Sequence, residues 1–260
     1  TNHDTIFLFS NKGKIFALKT YEIPPSTKTS RGKSLRGLIN LAQGENITAI
    51  CAIKNFDTDD FLCMATKYGI LKKTGIKDFA NAKKGGIICV NLKKDDELVD
   101  VKVVEKESDL VIASKNGSLL RTNLQKMRSM GRTAAGIIGM RLDKDDYIIG
   151  MDIVKNGSSL FVISDKGFGK RVSYNNFVNK GRGGKGMAYL KITDKNGHAA
   201  GIRSVSVTDE IIITSLSGMT IRLLAKDVST QGRATVGIKL LELSENDFVS
   251  DFAVITESDE

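Results

Sequence analysis

This 260-residue sequence predicts an all-β fold made of five copies of one unit, on three observations. Glycines recur in two registers. Gly13, Gly69, Gly117, Gly167 and Gly218 are spaced by 56, 48, 50 and 51 residues, and Gly37, Gly86, Gly136, Gly186 and Gly237 by 49, 50, 50 and 51. Each copy opens on an apolar run, "TIFLFS", "FLCMAT", "LVIAS", "LFVIS" and "IIITS". Three residues before each glycine of the first series stands Ser or Thr: Ser10, Thr66, Ser114, Ser164 and Ser215. A period near 50 residues signals a propeller, a solenoid or a similar array.

Each copy reads in the same order. A β-branched run, a turn glycine able to take φ > 0 and a second apolar run predict a β-hairpin. A loop follows. A second hairpin is expected around "AQGEN", "KKDDE", "DKDDY", "TDKNG" and "SENDF". That makes about four strands per repeat and about twenty in all. The runs are apolar on both faces, as in sheets packed on neighbours from both sides. A closed ring of four-stranded blades buries those faces and protects the sheet edges, whereas a large β-sandwich would not need the period. The repeats fall at 1–59, 60–108, 109–157, 158–208 and 209–260, within a single domain spanning 1–260.

Composition narrows the classes. With 41% hydrophobic residues the chain can bury a sizeable core, and two prolines and no tryptophan argue against a Pro-rich linker or a Trp-anchored repeat. Cys51, Cys63 and Cys89 lie far apart in apolar runs and read as buried reduced thiols of a cytosolic protein. With only His3 and His198 available, no zinc-type cluster can be assembled. No run approaches the roughly 18 apolar residues of a membrane span, and no signal peptide is present. The opening "TNHDT" lacks a methionine and reads as a fragment or processed product.

The charge follows the repeat. A net charge of +9 and a pI near 9.3 suit a polyanionic partner. Splitting each copy at its second glycine puts +18 in the five first parts and −9 in the remainder. Four residues after the turn glycine stand Lys73, Arg121, Arg171 and Arg222, with Lys19 two positions further on in repeat one. Four residues before the second glycine stand Lys33, Arg132, Arg182 and Arg233, with Lys83 and Lys84 in repeat two. Arg31, Lys72, Arg128, Lys170, Lys180 and Lys185 complete the candidate DNA-binding set. A cation on every blade makes a track. Such a track suits duplex DNA held by its phosphates and bent around the ring, although strand-end cations can also merely solvate turns and guard edges. Aromatics, at 6%, are not interleaved with the cations, which disfavours stacking on single strands.

Residues 179–186, "NKGRGGKG", satisfy G-x-G-x-x-G, yet "MAYLKIT" follows in place of a helix, so a dinucleotide loop is not expected. Its glycines let the backbone lie flat against a phosphate–sugar ridge while Lys180, Arg182 and Lys185 supply charge.

"TNHDTIFLFSNKGKIFALKTYEIP", "SRGKSLRGLINL", "GRTAAGIIGMRL", "NKGRGGKGMAYLKI" and "QGRATVGIKL" together resemble the C-terminal domain of the DNA gyrase A subunit, with the topoisomerase IV domain as a close relative. The resemblance runs the whole length and implies a propeller-like β-pinwheel whose blades exchange strands, with six blades in the intact family domain against the five repeats visible here. It also implies a non-catalytic domain that wraps duplex DNA for negative supercoiling. The partners implied are the gyrase A cleavage domain and gyrase B in an A2B2 heterotetramer, in the bacterial cytoplasm at the nucleoid. The cleavage tyrosine and the ATP and Mg2+ chemistry lie elsewhere in that assembly, so no cofactor, metal or catalytic residue is expected here. Tyr21, Tyr68, Tyr147, Tyr174 and Tyr189 should then be structural.

The family's box, Q-[K/R]-R-G-G-[K/R]-G, is matched at Arg182, Gly183, Gly184, Lys185 and Gly186, with Lys180 in place of Gln and Gly181 in place of a cation. In the family that box lies upstream of the "THDT"-like segment, so residues 180–186 are read as its repeat equivalent. Two rival functions stay open on the residues alone. A protein-interaction propeller would cluster its charge in one patch. A propeller enzyme would need convergent His, paired carboxylates or a nucleophile with its base. Repeat five departs from the basic pattern, and Glu257, Asp259 and Glu260 are expected to form a mobile acidic tail competing with DNA.

Overall fold

The structure is a computed structural model that describes residues 3–27, 29–30 and 32–256. Among them lie nineteen β-strands and six short 3-10 turns. Repeat one supplies β1 (Thr5–Ser10), β2 (Lys14–Lys19) and β3 (Ile47–Ile53). Repeat two gives β4 (Phe61–Thr66), β5 (Ile70–Gly75), β6 (Ile87–Ile88) and β7 (Leu98–Val104). Repeat three gives β8 (Asp109–Ser114), β9 (Ser118–Asn123), β10 (Ile137–Ile138) and β11 (Ile148–Ile153). Repeat four gives β12 (Ser159–Ser164), β13 (Phe168–Ser173), β14 (Met187–Ala188) and β15 (Ala199–Val205). Repeat five gives β16 (Glu210–Ser215), β17 (Thr220–Leu224), β18 (Ile238–Lys239) and β19 (Val249–Ile255).

The five hairpin turns share one chemistry. Each turn glycine donates its N–H to the carbonyl of the Ser or Thr three residues earlier, at 3.0–3.2 Å. The hydroxyl of that Ser or Thr accepts the N–H of the residue after the glycine, at 3.1–3.3 Å. All five glycines have φ between 72° and 89°, the left-handed region that closes a three-residue hairpin loop. Acidic residues in the later turns of repeats two, three and five tie down the same tips. Asp96 accepts from Thr66 Oγ1 and the Tyr68 N–H, Asp146 from the Asn116 N–H, and Asp247 from the Ser217 N–H and Oγ. Part of the negative charge in the second halves of repeats two, three and five is thus used inside the fold.

The second hairpin expected in each repeat does not form. β6, β10, β14 and β18 leave their own repeats and pair antiparallel with β2, β5, β9 and β13 of the repeat before, giving sheets ordered β3-β1-β2-β6, β10-β5-β4-β7, β11-β8-β9-β14 and β15-β12-β13-β18. The fifth sheet, β17-β16-β19, has three strands among the described residues. Hydrogen bonding explains the exchange. The carbonyls of Gly13, Gly117 and Gly167 accept the N–H groups of Cys89, Tyr189 and Leu240 from the following repeat, at 2.8–2.9 Å. At Gly117 the approach is so close that a Cβ would stand 2.3 Å from the Leu190 carbonyl oxygen.

The fold gathers into two compact units, residues 1–107 with 125–138, and residues 108–124 with 139–260. The first unit holds the sheets of β1 and β4, and its core packs Phe7, Phe9, Ile15, Leu62, Met64, Ile76 and Phe79. Cys89 lies in that core, Cys63 is also buried and Cys51 is half-buried; all three are free thiols, and burial pushes them up to about 12, 12 and 11 respectively. The second unit holds the other three sheets around two cores, one with Val111, Leu160, Val162, Val172 and Tyr189, the other with Phe161, Ile163, Ile211 and Ile213. Tyr174 and Tyr189 are buried, and the Tyr189 hydroxyl donates to the Ser114 carbonyl at 3.0 Å. Tyr21 and Tyr68, expected to be structural, are instead exposed.

Candidate nucleic-acid interface

Two kinds of cation emerge, set apart by what the strand exchange does to them. The first kind sits on the loops that lead into the exchanged strands. In the first unit Lys83 and Lys84 are exposed on residues 81–86, Arg128 is exposed and Arg132 half-buried on residues 128–136, and Lys33 is exposed before Gly37. In the second unit Lys180, Arg182 and Lys185 are exposed on residues 178–186, and Arg233 is half-buried on residues 229–237. Arg31 and the tail residues Glu257, Asp259 and Glu260 lie outside the described residues.

The backbone of each loop runs along the second strand of the preceding hairpin. Met130 donates its N–H to the Lys73 carbonyl at 2.8 Å, Lys180 to Arg121 at 2.9 Å, and Gln231 to Arg171 at 2.8 Å. Fixing the backbone on one side leaves the loop side chains to point elsewhere. Within residues 180–186 the glycines are used selectively: Gly183 and Gly186 take φ of 81° and 82°, and the Gly183 N–H donates to the Gly139 carbonyl at 2.6 Å. No helix follows, only the two-residue β14, so a pyrophosphate-binding helix N-terminus is absent among the described residues.

The second kind of cation sits on the strands, and here three sequence expectations are corrected. Lys72, Lys73 and Lys170 are 1%, 2% and 0% exposed, so their ammonium groups face into the protein and not toward a phosphate. Lys73 lies over the Phe61 ring at 5.0 Å. Lys72 donates to the carbonyls of Cys89, at 2.6 Å, and Arg132. Lys170 donates to the carbonyls of Gly232, Arg233 and Thr235 and to Thr235 Oγ1, at 2.8–2.9 Å. The sequence held a signal for this. Three residues after the turn glycine stand Phe16, Lys72, Leu120, Lys170 and Ile221, so the apolar repeats mark the position as core.

Arg121 and Arg171 are half-buried and also spend their guanidinium groups inward. Arg121 donates to Asp109 Oδ2 at 2.6 and 3.1 Å and to the Tyr174 carbonyl at 3.1 Å. Arg171 donates to the carbonyls of Val228 at 2.9 Å and Lys226 at 3.4 Å, closing the end of a 3-10 turn in the following repeat. Arg222 is exposed on β17 and paired with Glu210 across its hairpin. Lys19 donates to Thr5 Oγ1 at 2.8 Å.

Asp109 is a residue the sequence reading missed. Its Oδ1 accepts Nδ2 of Asn123 at 2.8 Å and Nδ2 of Asn179, at the start of the glycine-rich loop, at 2.9 Å. Burial raises its carboxyl, but the hydrogen bonds from Asn123 and Arg121 outweigh that and hold it below the usual carboxylate range. Two loop cations have weak partners of their own: Lys84 meets Glu22 at 2.8 Å and Lys185 meets Asp143 at 2.6 Å, both on the surface. Surface pairs of this kind are weak in water, so both ammonium groups stay available to a stronger anion.

Comparison with known proteins matches this pattern. The family model described as "DNA gyrase C-terminal domain, beta-propeller" matches residues 4–50, 60–105, 108–155, 158–206 and 209–256, one match per repeat. The chain is 52% identical over 257 residues to the DNA gyrase A subunit of Leptospira biflexa serovar Patoc, covering 99% of this chain and 30% of that protein. It is 45% identical to the equivalent gyrase protein of Brachyspira hyodysenteriae, covering 99% and 31%. The chain thus spans about three tenths of the length of these curated relatives. Among solved structures, that of a DNA gyrase A C-terminal domain superposes with a TM-score of 0.86 at 29% identity, over 98% of this chain and 84% of that one. The C-terminal domain of a DNA topoisomerase IV superposes at 0.89 with 24% identity, a likeness of fold, over 98% and 80%.

Proposed function

The chain belongs to the DNA gyrase C-terminal domain family, and from that premise we propose that it binds, bends and wraps duplex DNA without catalysing a reaction itself. The observation that carries the reading is the recurrence of cations on the loops before the exchanged strands, exposed on 81–86, 128–136 and 178–186 and half-buried at Arg233 on 229–237. An exposed Lys or Arg neutralises a phosphate and releases its counterion, and a contact of this kind is blind to base sequence. In the proposed wrap the duplex bends as it engages several such loops, and specificity then arises from how easily a sequence bends.

In this reading the chain serves a type II topoisomerase that introduces negative supercoils. Its partners are the gyrase A cleavage domain and gyrase B, in the bacterial cytoplasm. Tyrosine chemistry, ATP and Mg2+ belong to those partners, and this domain holds no cofactor. Tyr174 and Tyr189 are buried in the cores. A short duplex labelled at both ends tests the proposal: saturating the DNA with this chain should shorten the end-to-end distance for unrelated sequences. Binding with no change in that distance would remove wrapping, and no binding at low salt would remove the DNA reading altogether.

A further inference from the structure

The loops differ in how they are held from within. Loops 128–136 and 229–237 each have a buried ammonium gripping their backbone, Lys72 on the Arg132 carbonyl and Lys170 on the carbonyls of Gly232, Arg233 and Thr235. The other two loops have an apolar side chain at the equivalent strand position. A Cβ on Gly184 would stand 3.2 Å from Leu120 Cδ1, and one on Gly86 would stand 2.5 Å from the Phe16 ring. Those two loops carry double glycines and two or three cations, "AKKGG" and "KGRGGKG", while the gripped loops lack a double glycine and read "RSMGRTAAG", with Arg128 and Arg132, and "STQGRATVG", with Arg233 alone.

We propose that Lys72 and Lys170 are positioning residues for DNA binding, each fixing the peptide planes from which Arg132 or Arg233 extends toward a phosphate. This rests on the DNA-binding reading above. A lysine in an apolar strand interior costs free energy unless its protons are satisfied, and here only neutral acceptors satisfy them. Lys170 faces three carbonyls and the Thr235 hydroxyl. Around Lys72 the titratable groups are the Cys89 thiol, Asp78 and Arg132. Gripped loops present the arginine at the held peptide, Arg132 or Arg233, in a preset direction, and ungripped loops present their cations on a compliant backbone. The first kind fixes where the duplex passes, and the second adapts to it.

The same ammonium groups give the clamp a pH signature. Burial lowers both lysines to about 8, so they lose their charge as pH rises through that value. The folded chain holds these protons less tightly than the unfolded one, so deprotonation of the two lysines between about 8 and 10.5 does not itself destabilise the fold. Loss of DNA binding between pH 7 and about 9, below the range in which an ordinary lysine deprotonates, therefore reads the clamp.

Duplex affinity of this chain at fixed ionic strength should weaken about threefold to fivefold between pH 7 and pH 9. Lys72→Met and Lys170→Met should each already be weaker at pH 7 and should flatten the profile. Arg233→Ala should cost less in the Lys170→Met background than alone, because the arginine is then no longer aimed. Should the Met variants fail to fold, the profile of the Arg132→Ala, Arg233→Ala double variant decides instead, since it must be flatter than that of the unaltered chain. A pH-independent affinity in the unaltered chain, or strictly additive costs of Lys170→Met and Arg233→Ala, would overturn the clamp and leave DNA binding standing. An unaltered chain that fails to bind duplex at all would overturn the DNA reading on which the clamp rests.

Discussion

Strand cations and loop cations carry the same charge and lie a few residues apart in space, yet they have different work. Arg121 donates three hydrogen bonds of 2.6–3.1 Å into its own unit, to Asp109 and the Tyr174 carbonyl. Arg182, on the loop whose backbone leans on Arg121, is exposed. Strand exchange produces this division. Arg121 and Arg171, four places after their turn glycines, have the next repeat's loop laid over them, so their side chains meet carbonyls. The loop residue is the one laid on top, so its side chain meets solvent. A net charge of +9 therefore overstates the surface available to phosphate, and the location of each cation decides what it contributes.

Exchanging roles between the two sets tests the division. Arg182→Ala with Lys185→Ala should weaken duplex binding by about tenfold to a hundredfold, by similar factors for unrelated sequences, read by fluorescence anisotropy. An effect confined to one DNA sequence would mean that the loop reads bases. Arg121→Ala should act on stability instead, lowering it by about 2–4 kcal/mol in urea denaturation, because it strips a half-buried Asp109 of its cation and leaves carbonyls unpaired. Equal stability with weaker DNA binding would break the comparison. Asp143→Asn, which releases the exposed Lys185, should tighten binding only about twofold at low salt and have no effect at high salt.

The sequence showed some of this and hid the rest for a physical reason. Five glycines at one spacing, each preceded by Ser or Thr, fix five hairpin turns because the φ requirement and the hydroxyl acceptor are local. The exchanged strands were misread as halves of local hairpins. Each is only two residues long, and which sheet receives it is set by non-local bonds such as Tyr189 N–H to the Gly117 carbonyl. The candidate cations were legible at the loops, where Arg132, Arg182 and Arg233 recur at one offset from a glycine. It was illegible at "ILKKTG" and "FGKRVS", where lysine in a strand looks like surface until the neighbouring repeats show Phe16, Leu120 and Ile221 in its place. Asp109 carried no sequence signal, because its partners Arg121 and Asn179 are brought to it by the fold.

The salt dependence of duplex binding measures the central claim most directly. Lys83, Lys84, Arg128, Arg132, Lys180, Arg182, Lys185 and Arg233 are the exposed or half-buried cations of the four loops. Each phosphate contact contributes roughly −0.9 to the slope of log affinity against log salt, so full engagement predicts about −7. Removing Arg182 and Lys185 should make the slope shallower by about 2. A slope shallower than about −2 in the unaltered chain would mean that these loops do not neutralise a DNA backbone, and would contradict the account.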